Sequence, residues 1–213
     1  MTNAHFHKGA ETFLACRGAQ LRFVGFHPWV AGEVDAEDAA REVREAAMAD
    51  SCAGVGEIGL FRLKVKSVTP AQRMLFGAQL RVAADLHRPV VLHGARCWGE
   101  VLKAARPFVG EIPSFLFHGF SRSGGLIPDI EAMNGVVSVG KAVLNDQAVN
   151  YRELVKGIPR GRLLVETDDD AASAAERDAL LSAIFAKVAE LTGVTEEEID
   201  ANASRFISSL KTP

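Results

Sequence analysis

Residues 53–60 read Ala53-Gly54-Val55-Gly56-Glu57-Ile58-Gly59-Leu60, a short apolar run that a single carboxylate interrupts. A strand buried on both faces of a parallel sheet is normally a near-continuous run of Val, Ile and Leu. Glu57 lies near the end of such a run, and a buried position for it would require a cation nearby. Taken alone, this residue is more simply interpreted as a solvated glutamate in a strand-to-loop turn.

Four other apolar runs have the same design, because each carries metal-type ligands at or near its C-terminal end. These runs are Ala4-His5-Phe6-His7, Pro89-Val90-Val91-Leu92-His93, Ser114-Phe115-Leu116-Phe117-His118 and Arg162-Leu163-Leu164-Val165-Glu166-Thr167-Asp168. Alternate side chains of a strand face the same way, so the two histidines of the first run share one face. Strands that each place such a residue at their C-terminal end are typical of the active site of a (β/α) barrel.

The rest of the chain alternates between apolar runs and segments with helical spacing. The clearest helices extend from Asp35 to Met48 and from Thr69 to Leu86, each with a favourable capping residue at its start. Such alternation predicts a parallel sheet wrapped by helices, with about seven strands, in a single domain of residues 1–213. Gly9 to Cys16 is expected to form one or two helical turns.

The composition is that of an ordinary globular protein, with 48% hydrophobic and 24% charged residues. A net charge of -3 predicts no overall basic surface, so a nucleic-acid substrate would need local basic groups or metal ions. Cys16, Cys52 and Cys97 show no CxxC spacing, which predicts reduced thiols. No signal peptide or membrane-spanning run is visible, and we therefore expect a cytoplasmic protein with no membrane partner.

Six stretches together resemble the TatD family of metal-dependent deoxyribonucleases, within the amidohydrolase-type barrels. They are Ala4-His5-Phe6-His7, Val24-Gly25-Phe26-His27-Pro28-Trp29, Gly56-Glu57-Ile58-Gly59-Leu60, Pro89-Val90-Val91-Leu92-His93, Phe117-His118-Gly119-Phe120-Ser121 and Leu164-Val165-Glu166-Thr167-Asp168. Their order is that of the family, and they are spread over most of the chain. The resemblance implies an α/β fold of the TIM type and metal-dependent hydrolase activity.

The chain also departs from the family pattern. Only about twenty residues separate His7 from His27, too few for the additional βα unit that the family has there. We therefore expect an incomplete barrel of about seven parallel strands, with a gap or a short substitute between the first two. Phe61 occupies a position where the family usually has Asp, and Lys8 replaces a usual acidic residue.

The resemblance further implies a pair of divalent metal ions. The implied ligands are His5, His7 and Asp168 for one ion, His93 and His118 for the other, and Glu57 as a bridge between them. Imidazole and carboxylate donors suit zinc, nickel, manganese or iron, and carboxylate with water suits magnesium. Two such ions activate a water and clamp both oxygens in a phosphoester displacement. Asp168 would also accept the proton of that water, and His27 would contact the substrate phosphate or support a ligand.

These roles predict cleavage of phosphodiester bonds, with a nucleic-acid end or a small phosphoester as substrate. Two alternatives stay open, since a fold does not determine a function. One is a barrel that keeps its ligands but has a binding or structural role, and the other is an amide or lactone hydrolase. Trp29 and Trp98 either line the pocket or pack internally. Asp169 and Asp170 are expected to cap the next helix rather than hold metal.

Overall fold

The computed structural model describes residues 1–8, 11–16, 19–49, 54–63, 66–122, 124–169 and 173–208, and within these ranges eight strands form one sheet. The strands are β1 (Asn3–Lys8), β2 (Glu11–Cys16), β3 (Ala19–Val24), β4 (Gly54–Phe61), β5 (Val90–Ala95), β6 (Phe115–Phe117), β7 (Gly135–Val139) and β8 (Leu163–Val165). They are neighbours in chain order, and those from β3 to β8 pair in parallel. β2 pairs antiparallel with both β1 and β3.

Helices follow most of the parallel strands. In the described ranges they are α1 (Ala36–Ala49), α2 (Pro70–Asp85), α3 (Trp98–Ala105), α4 (Ile127–Ala132), α5 (Val149–Lys156), α6 (Ala174–Thr192) and α7 (Glu196–Ser208). The two clearest predicted helices are confirmed as α1 and α2 with their capping residues, Asp35 and Thr69. None of the helices described is long and apolar enough to cross a lipid bilayer.

The predicted total of about seven strands is one too low for the described part of the chain, which has seven strands running the same way and an eighth, antiparallel strand, β2, formed by Glu11–Cys16. This segment was expected to be helical. Its buried side chains alternate with more exposed ones, and it gains hydrogen-bonded partners on both sides. A helix of six residues is marginal by itself, so pairing with two strands determines the outcome. β2 is the short substitute for the missing unit, because its reversal leaves β1 and β3 pointing the same way.

The sheet curls until its first strand meets the segment that follows its last. Two backbone hydrogen bonds join them, from Asp168 N to His5 O at 3.1 Å and from His7 N to Asp169 O at 2.8 Å. The side chain of Asn3 makes two more hydrogen bonds with Thr167. Its Nδ2 donates to Thr167 Oγ1 at 2.9 Å, and its Oδ1 accepts from the backbone N–H of Thr167 at 3.1 Å. These bonds nearly close the sheet into a barrel and confirm the TIM-type class.

β4 is buried along its whole length, and Glu57 lies within it. Each of its eight residues is buried. At Gly59, where φ is 153°, an added Cβ atom would lie 2.0 Å from the carbonyl oxygen of His93 on β5. Glycine therefore allows the close approach of β4 and β5 that brings Glu57 beside His93.

Candidate metal centre

The sequence-predicted ligands lie together at one end of the barrel. They are His5 and His7 on β1, Glu57 on β4, His93 on β5, His118 directly after β6 and Asp168 just beyond β8. Two triplets of these residues, and a third that includes His27, each have their donor atoms within 4.8 Å of one another. This is the C-terminal edge of the parallel strands, where (β/α) barrels carry their active sites.

Glu57 lies between two groups of histidines and turns one carboxylate oxygen toward each. Oε2 is 3.4 Å from His5 Nε2 and 3.7 Å from His7 Nε2. Oε1 is 2.5 Å from His93 Nδ1 and 2.6 Å from His118 Nε2. This division of one carboxylate between two groups of nitrogen donors is what a ligand shared by two metal ions requires.

Asp168 completes the group around Oε2. Its Oδ1 lies 3.6 Å from Nε2 of both His5 and His7, and those two nitrogens are 3.3 Å apart. The backbone of Asp168 is in the left-handed region, with φ of 48°, a conformation that is uncommon outside glycine but that aspartate tolerates better than most residues. Its side chain is 46% exposed, so the carboxylate reaches both the centre and solvent.

His27 stands beside the second group but differs from its neighbours in its hydrogen bonding. Its Nδ1 accepts the backbone N–H of Trp29 at 3.2 Å. Because the lone pair of Nδ1 accepts this hydrogen bond, a neutral His27 ring carries its proton on Nε2. Nε2 lies 3.4 Å from Glu57 Oε1. A protonated nitrogen donates and does not coordinate a metal. The arrangement therefore favours His27 as a hydrogen-bond donor at the centre rather than as a ligand.

The electrostatics of the centre show what its donor set can hold. Burial would raise the pKa of Glu57, but the charge and hydrogen bond of His118, with help from His27 and His5, hold it well below its usual range. Burial also opposes protonation of His118, yet Glu57 and Glu166 raise its pKa well above the usual value. A buried anion thus needs positive charge around it, and metal ions that displace the protons of their ligands provide such charge. Imidazole nitrogens with carboxylates fit divalent transition metals.

Glu166 is a buried residue for which the sequence alone indicates no role. It is 1% exposed, and its carboxylate accepts hydrogen bonds from the Gly119 amide at 2.7 Å and from the Ser138 hydroxyl. Its Oε1 also lies 3.6 Å from His118 Nδ1, behind the nitrogen that faces Glu57. A carboxylate in this position orients an imidazole and selects its tautomer. The available signal was an acid at the end of a buried apolar run, the same feature that marks Glu57.

Asp169, beyond β8, has a different role from the one expected. Asp169 accepts a hydrogen bond from Thr167 Oγ1 at 2.6 Å and pairs with Arg177 Nε at 3.1 Å. Ser173 caps α6, so the expectation that Asp169 caps this helix is wrong. Asp170 lies outside the described residues.

The two tryptophans differ in solvent exposure. Trp98 is 5% exposed and packs its ring against Phe117 and Phe120, so internal packing accounts for it. Trp29 is 67% exposed and lies beside His27.

Cys16 and Cys97 are free and buried thiols, as predicted, whereas Cys52 lies outside the described residues.

Two clefts of about 920 and 810 Å³ open at the centre and share part of their lining, including His118's neighbour Gly119 and Asp168. Their walls also carry cationic side chains: Arg62 and Arg96 in the larger cleft, Lys141 in the smaller, and Arg122 in both. Carboxylates line the same clefts, Glu100 and Asp168 in the larger and Glu166 and Asp168 in the smaller. The basic groups therefore offer local contacts for an anion within a lining of mixed charge.

Several known proteins are similar in sequence to this chain. The family model for TatD related DNases matches residues 5–210. An uncharacterised metal-dependent hydrolase of Bacillus subtilis, YabD, is 29% identical over 145 residues, which are 68% of this chain and 56% of that protein. A 3'-5' ssDNA/RNA exonuclease TatD of Pectobacterium parmentieri is 30% identical over 145 residues, 68% of this chain and 55% of that protein. The matched region therefore spans little more than half the length of these curated relatives.

Among solved structures, YjjV, a TatD homologue from Escherichia coli K12, superposes with a TM-score of 0.73 at 22% sequence identity. The match covers 90% of this chain and 76% of that chain. At this level of identity the likeness concerns the fold, and it agrees with the barrel described above.

Proposed function

Because this chain belongs to the family of TatD-related DNases, we propose that it is a metal-dependent hydrolase that cleaves phosphodiester bonds. The observation that carries the proposal is Glu57, whose two carboxylate oxygens face two separate groups of imidazole nitrogens. This arrangement supports two metal ions rather than one. The activity and the substrate are both part of this proposal, because the match covers little more than half the length of the curated relatives.

The proposed division of the ligands follows the two carboxylate oxygens of Glu57. One ion would be held by His5, His7 and Asp168, the other by His93 and His118, and Glu57 would contact both. When bound, such a pair supplies Lewis-acid stabilisation of charge on phosphoryl oxygens and makes water nucleophilic near neutral pH. The imidazole-rich donor set favours zinc, manganese, nickel or iron, and magnesium would rely on the two carboxylates.

The chain's own residues perform the remaining steps. Asp168 accepts a proton from the attacking water, because its carboxylate is close to the centre and open to solvent. His27 donates from Nε2 to a non-bridging phosphate oxygen. Arg122, on the wall shared by both clefts, positions an adjacent phosphate without reading the base.

The proposed substrate is the end of a single-stranded nucleic acid, with a small phosphoester as the alternative. The relative from Pectobacterium parmentieri is named as a 3'-5' ssDNA/RNA exonuclease, and Arg96, Arg122 and Lys141 in the two clefts offer contacts for a chain of phosphates. A longer substrate would use both clefts, whereas a small phosphoester would need only the centre.

Hydrolysis by metal-stripped and metal-reloaded protein tests the proposal. An end-labelled single-stranded oligodeoxynucleotide and bis(p-nitrophenyl) phosphate are offered with zinc, manganese or magnesium, beside a panel of lactones and amides. We expect metal-dependent cleavage of the phosphodiesters. Turnover of lactones or amides alone would instead support the alternative hydrolase, and absence of any turnover would support a binding or structural role.

A matched pair of histidine variants separates the centre from the rest of the surface. His93→Asn should abolish cleavage, since this ring lies 2.5 Å from Glu57. His87→Asn is the control, because His87 is exposed, lies at the end of α2 and bonds the backbone of Glu111. Equal activity of the two variants would contradict the proposed centre.

A further inference from the structure

Trp29 is the one aromatic side chain among the large hydrophobic residues exposed in the described part of the chain. Its exposure is 67%, whereas Trp98 is 5% exposed. An exposed indole leaves a large apolar surface in water beside a polar N–H, and tryptophan is enriched at binding interfaces for this reason. Trp29 contributes little to the core, so its surroundings decide what it can bind.

The position of Trp29 is fixed by its neighbours. The residue lies in the short 3₁₀ turn Pro28–Val30, and its backbone N–H is bonded to His27 Nδ1 at 3.2 Å. Its ring meets those of His27 and Phe61 edge to face, with centroids 4.4 and 6.0 Å away. Two aromatic contacts on a proline-containing turn hold the indole in place while most of it stays in contact with water.

Trp29 is also one ring away from the candidate metal centre. The His27 ring that it contacts has Nε2 3.4 Å from Glu57 Oε1, and the His27 and His93 ring centroids are 4.4 Å apart. Phe61, which contacts Trp29, lies with its centroid 6.3 Å from that of His93. A planar group lying on the indole would thus be within one nucleotide's reach of a phosphate at the centre.

We propose that Trp29, supported by Phe61, is a stacking platform for a nucleobase next to the bond that is cleaved. This inference rests on the proposed function, because the base is carried by the phosphodiester substrate. The platform would make the protein prefer nucleotides over phosphoesters without a ring. Bases of every kind have a flat π-face, so the platform gives selectivity for nucleic acid without selectivity for sequence.

Binding is tested without hydrolysis by following the two indole N–H signals by NMR in metal-free protein. Deoxyadenosine, which is uncharged, is titrated beside 2-deoxyribose, which lacks the ring. We expect a saturable shift of the Trp29 signal with deoxyadenosine only, and no shift of Trp98. Trp29→Phe should retain part of the binding and Trp29→Leu should lose it. Absence of a Trp29 shift, or an equal shift of Trp98, would overturn the platform.

Turnover gives the second measurement. The Michaelis constants for a single-stranded oligodeoxynucleotide and for the same chain made of abasic residues are compared in wild type and Trp29→Leu. We expect a preference of about 5- to 150-fold for the natural chain, which Trp29→Leu brings close to one. A preference that persists in Trp29→Leu contradicts the proposal. If neither chain is cleaved, the proposed function fails, and the binding measurement still decides on the platform.

Self-association is the competing explanation of an exposed indole. Sedimentation of wild type and Trp29→Leu distinguishes it. We expect both proteins to sediment alike. A dimer that Trp29→Leu converts into a monomer, together with an indole that does not respond to deoxyadenosine, would assign this surface to a second copy of the chain and overturn the proposal.

Discussion

Glu57 combines burial with negative charge. It is 6% exposed, and the imidazoles on both sides of its carboxylate keep it ionised. The amide of a glutamine has the same shape but neither the charge nor two equivalent oxygens. A change at this one side chain therefore affects both halves of the centre, whereas a change at Asp168 affects one half directly.

We accordingly expect Glu57→Gln to lower metal content more than Asp168→Asn does. Asp168→Asn should keep the ion near His93 and lose turnover, by about 10–100-fold or more, because it removes one ligand and the proton acceptor. Metal is measured by elemental analysis after equilibration with zinc or manganese and gel filtration. Retention of two metal ions and full activity in Glu57→Gln would disprove the bridge.

Glu166→Gln tests the residue behind His118. Loss of this negative charge should weaken metal binding by about 10–100-fold, since a neutral amide holds the His118 ring and raises its basicity less than a carboxylate does. The dissociation constant is measured by competition with a chromophoric chelator. Glu176→Gln is the control, because Glu176 is an exposed member of the α6 cap. Equal metal affinities in the wild type and Glu166→Gln would contradict the proposal that Glu166 orients His118.

The sequence was sufficient to nominate six candidate ligands, because five runs carry such residues at or near their ends and the resemblance to the TatD family implies their roles. It was insufficient for Glu166 and Trp29. The role of Glu166 depends on which side of His118 it faces, and the exposure of Trp29 depends on which rings surround its turn. Both are properties of packing between segments distant in the chain.

At the scale of elements, patterning identified the helices and the parallel strands but not β2. Glu11–Cys16 is too short for periodicity to distinguish a strand from a helical turn. Its partners, β1 and β3, determine its structure, and pairing of this kind cannot be read from the segment alone. The close contact of β4 with β5 likewise appears in the sequence only as an unexplained glycine.

Two identical substitutions should have opposite effects on stability. Gly59→Ala places a Cβ atom 2.0 Å from the His93 carbonyl oxygen, at a backbone conformation that disfavours alanine, and should lower the free energy of unfolding by about 2–4 kcal/mol. Gly77→Ala, inside α2 with no atom within 4 Å of the new methyl group, should raise it by about 0.5–1 kcal/mol. Urea denaturation measures both, and a shift in the same direction would refute the contact.

For the whole molecule, the decisive feature is the seam between β1 and the segment after β8. The hydrogen bonds of Asn3, His5 and His7 hold this seam, and the candidate ligands His5, His7 and Asp168 lie across it. A metal ion bound by these three residues would add a further link between the two sides. Metal binding should therefore stabilise the folded barrel as a whole.

Metal removal should reduce thermal stability measurably. A ligand present at a hundred times its dissociation constant stabilises by about 2.7 kcal/mol, which for a chain of this size raises Tm by about 5–10 °C. Scanning calorimetry with chelator and with added zinc or manganese measures the shift. Glu57→Gln should show a smaller response. An unchanged Tm in the wild type would indicate that the ions do not bind the folded state.

The seam also has a consequence for the order in which the molecule is made. Thr167 bonds with Asn3 across a sequence separation of 164 residues, and the half of the centre that contains His5 and His7 includes Asp168. A growing polypeptide can bring Glu57, His93 and His118 together once His118 has emerged. The group of His5 and His7 must wait for Asp168, about fifty residues later, and until then the nascent chain lacks one ligand of that group.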